Sequence, residues 1–154
     1  MKFIRINKDG SMNELDIKLP KNCLNTLVKN SNSQGSESIK ELYRNYKQAE
    51  SDEDYTREDE IREQAQDEAL SVEFRSGWTS NPEEMKPEEF KILLSTGGPA
   101  CQIVGKIDYG SCEPIDIEIQ YQDWGTPWTT LEISYHHDDY QALEWFCNCF
   151  YFGE

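Results

Sequence analysis

A chain of 154 residues, 36% hydrophobic and 12% aromatic, is long enough for one compact domain, and its aromatic content argues against a disordered acidic protein. Its formal charge of −15 at pH 7 excludes nucleic acid and anionic membranes as direct partners, because both repel an acidic surface. No apolar run approaches the ~20 residues of a membrane span, and the first residues lack the apolar stretch of a secretion signal. Five cysteines without paired spacing indicate free thiols, so we expect a cytoplasmic protein.

The charge is distributed unevenly along the chain. Residues 1–48 carry nine Lys or Arg and five Asp or Glu, a net charge of +4, whereas residues 49–154 carry six and twenty-five, a net charge of −19. An acidic excess of this size attracts basic partners over long range, and the commonest basic surface on a protein is one that holds DNA or RNA. The alternative is that the acidity only keeps the protein soluble.

The N-terminal residues predict a β-hairpin. Residues 3–6 and 14–19 alternate apolar and polar side chains, and the Asp9-Gly10 step between them is typical of a hairpin turn. Pro20 closes the second strand. A short helix is predicted around residues 23–28, and the polar run that follows it predicts a loop.

Two helices are predicted in the middle of the chain. The first carries Ile39, Leu42, Tyr43 and Tyr46 at i, i+3, i+4, i+7 spacing, with Ser36 or Ser38 as its N-cap. The second begins in the acidic stretch 49–60 with Thr56 as its N-cap, and its only apolar stripe is Ile61, Ala65 and Ala69. A helix this polar is either a solvated connector or an acidic docking face.

The remaining residues predict an antiparallel sheet followed by a helix. In the clearest strand we expect one face to be apolar and the other polar, with Ile115, Ile117, Ile119 and Tyr121 against Asp116, Glu118, Gln120 and Gln122. Other strands are predicted from Val72, Phe74 and Trp78, and at residues 90–95, 101–107 and 131–135. Asp138 or Asp139 caps a terminal helix whose inward side chains are Leu143, Phe146, Cys147 and Phe150.

The predicted fold class is therefore α+β. An antiparallel β-sheet is packed by a C-terminal helix and is preceded by an N-terminal β-hairpin plus helices. Changes in charge and in apolar periodicity along the chain divide it into a hairpin and helical module (1–48), an acidic linker helix (49–70) and a C-terminal α+β domain (71–154).

Three motifs carry possible chemistry. The string Thr96-Gly97-Gly98-Pro99 predicts a tight turn rather than a phosphate loop, because the next segment is a strand and no lysine follows. Trp124 and Trp128 flank a Gly and a Pro, so this loop either exposes an anchor for a partner or covers one end of the sheet. In the string 136–139 four metal-capable residues are adjacent and point apart. We expect no catalytic residue, no metal and no cofactor.

Four strings resemble those of a family of small phage and prophage proteins whose activity is uncharacterised. They are RSGW at 75–78, LSTGGPA at 94–100, QDWGTPW at 122–128 and FYFGE at 150–154. The resemblance covers residues 70–154 and implies a context rather than a catalytic residue. Small acidic phage proteins often block host defence, as anti-CRISPR proteins and DNA mimics do.

These observations lead to one functional hypothesis and two alternatives. The leading hypothesis is a phage-type anti-defence inhibitor, not an enzyme, that binds the basic nucleic-acid-binding surface of a host protein such as a CRISPR-Cas effector through a DNA-mimic-like acidic face. Its partner-binding residues are Asp52, Glu53, Asp54, Glu58, Asp59, Glu60, Glu63, Asp67 and Glu68, with Trp124 and Trp128 as apolar anchors. One alternative is a small metal-dependent hydrolase or nuclease using Asp123, His136, His137 or Asp138. The other is a phage accessory binding protein without mimicry.

Overall fold

A computed structural model describes residues 3–6, 12–15, 39–97, 100–131 and 138–152 of the chain. Some of the sequence predictions fall outside these described residues. They concern the Asp9-Gly10 turn, residues 16–38 with their short helix, loop and capping serines, the Gly98-Pro99 step, residues 132–137 with both histidines, and residues 153–154.

Two short N-terminal strands pair antiparallel, as the hairpin pattern predicts. Strand β1 (Phe3–Ile6) lies beside β2 (Met12–Leu15), with Phe3 opposite Leu15. The second strand begins two residues earlier than the alternation predicted.

The C-terminal half contains a five-stranded antiparallel sheet, and the predicted α+β class is confirmed. Each strand lies beside the one before it in the chain, so among the described strands the sheet is a meander with β3 and β7 at its edges. The strands are β3 (Ser71–Arg75), β4 (Glu89–Ser95), β5 (Ala100–Ile107), β6 (Pro114–Gln122) and β7 (Thr129–Leu131). A 3₁₀ turn at Pro82–Glu84 lies in the connection between β3 and β4.

In the described part of the chain three α-helices accompany this sheet, and their apolar stripes follow the predicted periodicity. They are α1 (Ile39–Ser51), α2 (Tyr55–Asp67) and α3 (Asp138–Cys147). Ile39 and Leu42 of α1 are buried, and Leu143 and Phe146 of α3 are buried in the same core. Among the described residues, no helix is long and apolar enough to cross a membrane.

The sheet and the three helices share one apolar cluster. Its centre is a row of residues in register on neighbouring strands, in which Ile92, Ile103 and Ile119 are completely buried. Ile61 and Ala65 of α2 belong to the same cluster. The division of the chain into three segments stays a prediction, but apolar side chains of the linker helix and of the C-terminal segment pack in a common core.

An aromatic group joins α1 to α3. The indole of Trp145 lies beside two tyrosine rings of α1, with ring centroids 5.7 Å from Tyr43 and 5.2 Å from Tyr46. Trp145 is 8% exposed, and its Nε1 has no hydrogen-bond partner among the described residues. Aromatic packing therefore holds these two helices together at their contact.

The predicted alternation along β6 is wrong at its first residues. Ile117 and Ile119 are buried as expected, but Ile115 is 42% exposed and Pro114 is buried instead. The register shifts next to Gly105, where Asp116 adopts a φ of 52°, so a β-bulge turns Ile115 outward. Gly105 permits this packing, because a Cβ there would lie 2.6 Å from the ring of Phe90.

The start of α2 also differs from the prediction. Its N-cap is Asp54, whose carboxylate accepts a hydrogen bond from the backbone N–H of Arg57, and Thr56 lies within the first turn. The preceding helix ends in a Schellman-type motif, in which Asp54 N–H bonds to the carbonyl of Ala49 and Glu53 N–H to that of Glu50. Glu53 adopts a φ of 54° there, which is the left-handed region that favours glycine.

Replacing Glu53 by glycine should raise the free energy of unfolding by about 1 kcal/mol, because glycine adopts the left-handed conformation without the Cβ clash. The midpoint of urea unfolding measures this change. Glu53→Ala is the matched control, since it removes the same charge and keeps the Cβ. Equal midpoints for the two variants would contradict the conformational explanation.

Candidate partner-binding surface

The acidic surface consists of the α1–α2 loop and the solvent side of α2. Residues 50–68 contain ten carboxylates and two arginines. Ile61 and Ala65 face the core, and the 3.6-residue period of a helix therefore places Asp59, Glu63 and Asp67 on the opposite side. All three are exposed. The helix thus carries one apolar stripe and one acidic stripe.

The carboxylates of this stripe repeat regularly and are not neutralised within the described part of the chain. Residues four positions apart on a helix are separated by about 6 Å along its axis. None of Asp59, Glu60, Glu63 and Asp67 belongs to an ion pair among the described residues. Because α2 ends at Asp67, this carboxylate lies at the negative end of the helix dipole. The last turn of α2 contains no basic residue that would offset the unfavourable interaction.

The nine acids predicted to bind a partner are not equivalent in the structure. Asp52 accepts hydrogen bonds from the Gln48 side chain, both 3.0 Å long, and Asp54 caps α2. Glu58 and Glu68 are half-buried at the margins of the apolar stripe. The acids that are exposed and outside these roles are Glu53, Asp59, Glu60, Glu63 and Asp67.

The two arginines of α2 occupy different environments. The guanidinium of Arg62 donates a hydrogen bond of 3.1 Å to the hydroxyl of Tyr46 and lies 5.0 Å from the centroid of its ring. Arg62 therefore points toward α1 and away from the acidic stripe. Arg57 is exposed near the start of the helix. The stripe of Asp59, Glu63 and Asp67 consequently presents negative charge alone.

The predicted aromatic anchors lie on a different element, the turn between β6 and β7. Trp124 is 77% exposed and Trp128 is 36% exposed. The turn is held by its own polar groups, since the Asp123 carboxylate accepts a 2.8 Å hydrogen bond from Trp124 N–H and Gln122 Nε2 donates one of 2.7 Å to the carbonyl of Thr126. The turn therefore presents the Trp124 indole to solvent rather than to the sheet.

The described residues assemble no metal-binding cluster. None of their His, Cys, Asp and Glu side chains form a group of three or more that could hold a metal ion. Asp123 is engaged in its turn, and Asp138 is exposed at the first residue of α3. Burial raises the pKa of the Cys147 thiol well above its usual value and that of Cys149 to about 11, so both are protonated at neutral pH.

One surface feature was missed by the interpretation of the sequence. Val72, Phe74 and Trp78 were expected to mark one strand, but β3 ends at Arg75 and Trp78 beyond it is completely exposed. Phe74 lies in β3 and is 47% exposed. A groove of about 710 Å³ runs from β3 across β4 and β5 to β6, and charged side chains of these four strands line most of it. The alternation of Glu73 with Arg75, and of Glu89 with Lys91, is the sequence signal that could have indicated it.

Comparison of the chain with protein-family models, with curated proteins and with solved structures finds no match. The candidate surface is therefore defined by its own geometry and charge.

Proposed function

We propose that this protein is a binding protein whose acidic surface occupies the basic, nucleic-acid-binding surface of a partner. The observation that carries the proposal is the stripe of Asp59, Glu63 and Asp67, which is exposed, regularly spaced and without ion pairs to other described residues. A regular row of uncompensated negative charges resembles electrostatically what a phosphate backbone offers to lysine and arginine side chains.

The cost of this arrangement to the fold supports a role in binding. Like charges four residues apart on a helix repel each other, and an acid in the last turn opposes the helix dipole. Both effects destabilise α2, and no described basic side chain offsets them at Asp59, Glu63 or Asp67. Features that violate local stability rules without compensation concentrate at functional sites.

In its specific form, the proposal is a phage-type anti-defence inhibitor acting in the host cytoplasm without enzymatic activity or cofactor. The partner is a host protein with a nucleic-acid-binding cleft, and the leading candidate is a CRISPR-Cas effector. The resemblance of residues 70–154 to phage and prophage proteins supports this context. The exposed indole of Trp124 supplies an apolar anchor in addition to the electrostatic attraction of the acidic stripe.

Reversing Asp59, Glu60, Glu63 and Asp67 to lysine should slow association with the partner by about tenfold or more and change the dissociation rate less, since exposed charges act mainly on the encounter. Surface plasmon resonance against a panel of purified CRISPR-Cas effectors measures both rates, at low and at physiological salt. The wild-type association rate should fall steeply with salt, because exposed charges are screened within ~10 Å at 0.1 M.

The control variant reverses four exposed acids elsewhere, namely Glu83, Glu84, Glu113 and Glu144. It changes the net charge by the same amount, so it separates the local stripe from the overall charge. Salt-independent binding that survives the α2 reversal would end the mimicry proposal. Loss of binding in Trp124→Ala alone would instead assign the interaction to the β6–β7 turn, and activity abolished by EDTA would favour the metal-dependent alternative.

A further inference from the structure

Strand β3 ends the sheet and leaves one backbone edge without a neighbouring strand among the described residues. The sheet order places β4 on one side of Ser71–Arg75 and no described strand of the sheet on the other. Glu73, Phe74 and Arg75 of this strand are all exposed. An edge of this kind can accept a further strand, and proteins normally protect such edges with charge, bulges or short length.

We infer that the protein self-associates through this edge, with β3 pairing antiparallel to β3 of a second copy and Phe74 opposite its own symmetry mate. This two-fold arrangement joins the two five-stranded sheets into one. It is independent of the acidic surface on α2 and concerns a different part of the molecule.

The apolar side of β3 is complementary to itself in this register. Antiparallel pairing centred on Phe74 places the two Phe74 side chains side by side, while Leu70 and Trp78 lie just beyond the two ends of β3. The exposed fractions are 60% for Leu70, 47% for Phe74 and 106% for Trp78, so apolar surface is exposed along the strand and at both of its ends. Phe74 already contacts Phe152 edge to face at 6.0 Å, and the second Phe74 extends this aromatic group across the junction.

The polar side of β3 is complementary in the same register. Arg75 lies opposite Glu73 of the second copy, and each copy already pairs Arg75 with Glu89 and Glu73 with Lys91. Four charged side chains therefore form one row across the junction, namely Glu89 and Arg75 of one copy followed by Glu73 and Lys91 of the second copy. Negative and positive charges alternate along this row. A shift of two residues either way would place Glu73 opposite Glu73 or Arg75 opposite Arg75, and a shift of one would oppose the apolar and charged faces.

The charge of the whole chain favours this location for self-contact. At a net charge of −15, most approaches of two copies are repulsive. The β3 edge is an exception, because Glu73, Arg75, Glu89 and Lys91 provide two charges of each sign in two ion pairs. At physiological salt the distant acids are screened beyond ~8 Å, so the local complementarity decides the encounter.

Sedimentation equilibrium of the full chain at 0.15 M salt tests the inference. The wild-type protein should show twice the mass of a single chain as its concentration rises. Glu73→Arg and Arg75→Glu, each measured alone, should weaken the dimer by about tenfold or more, because each opposes like charges across the edge. An equimolar mixture of the two variants should recover the dimer, since one variant then presents two arginines at positions 73 and 75 and the other presents two glutamates opposite them.

The control Lys47→Glu reverses an exposed lysine of another ion pair, on α1 outside the sheet, and should leave the dimer unchanged. Near-ultraviolet circular dichroism confirms that each variant is folded. Recovery in the mixture cannot arise from misfolded single variants, so it supports this register specifically. A wild-type protein that stays monomeric at high concentration would overturn the inference and leave the edge open to an extended peptide of another protein. A dimer insensitive to both reversals would also overturn it.

Discussion

Truncating Ile119 to alanine should lower the free energy of unfolding by about 2–5 kcal/mol, because the removed side chain leaves a cavity that its rigid neighbours fill only in part. Ile119 is completely buried on β6, between Ile103 of β5 and Leu131 of β7 in register. The midpoint of urea unfolding, with an unchanged slope, measures the loss.

The control for this variant is the preceding residue on the strand. Glu118 is exposed on the other face, where its carboxylate accepts hydrogen bonds from Thr130 at 2.9 Å and Gln120 at 3.3 Å. Exposed hydrogen bonds of this kind exchange readily with water, so Glu118→Ala should move the midpoint little. A larger shift for Glu118→Ala than for Ile119→Ala would mean that the faces of β6 are assigned in reverse.

Replacing Lys40 by methionine should lower the free energy of unfolding by about 3 kcal/mol, because it removes a cation that is paired with a buried carboxylate. The Lys40 ammonium forms an ion pair with Asp139, whose side chain is 7% exposed at the first turn of α3. This pair links α1 to α3, so its loss weakens the contact between the two helices. Urea unfolding monitored by circular dichroism gives the magnitude.

Two further variants isolate the cause. Lys47 pairs with Glu50 on the surface of α1, where both side chains are about half exposed, so Lys47→Met should leave the urea midpoint nearly unchanged. The double variant Lys40→Met with Asp139→Leu removes both charges and should recover much of the loss. Equal effects of the two lysine substitutions would show that burial of the Lys40 pair is energetically unimportant.

Periodicity identified the strands and helices because it depends on residues that are close in sequence. The apolar positions of α1 and α3 and the strands from Glu89 to Gln122 follow directly from it. It was wrong where a contact between distant residues decides the outcome. The bulge that exposes Ile115 depends on the ring of Phe90 against Gly105, and the exposure of Phe74 depends on β3 being an edge strand. Neither the Phe90–Gly105 contact nor the edge position of β3 can be recognised from the residues adjacent in sequence.

Local sequence likewise predicted where the acidic surface lies but not the separate roles of its residues. A run of carboxylates on a helix is visible in sequence, and Asp59, Glu63 and Asp67 lie on the solvent side as expected. The separate role of Asp54 as a cap depended on where the left-handed residue ended α1, which local patterns placed two residues too late. The orientation of Arg62 toward α1 depends on Tyr46, sixteen residues away on that helix.

The aromatic group between α1 and α3 gives the protein an internal optical probe. Trp145 is buried, while Trp78, Trp124 and Trp128 are in contact with solvent to different degrees. Neutral quenchers such as acrylamide therefore reach the three surface indoles first, and the residual fluorescence reports the packing of Tyr43 and Tyr46 against Trp145. Separation of the α1–α3 contact would shift this residual emission to longer wavelengths, whereas a ligand covering the β6–β7 turn would change only the quenchable part. Both events can thus be followed in one unlabelled sample.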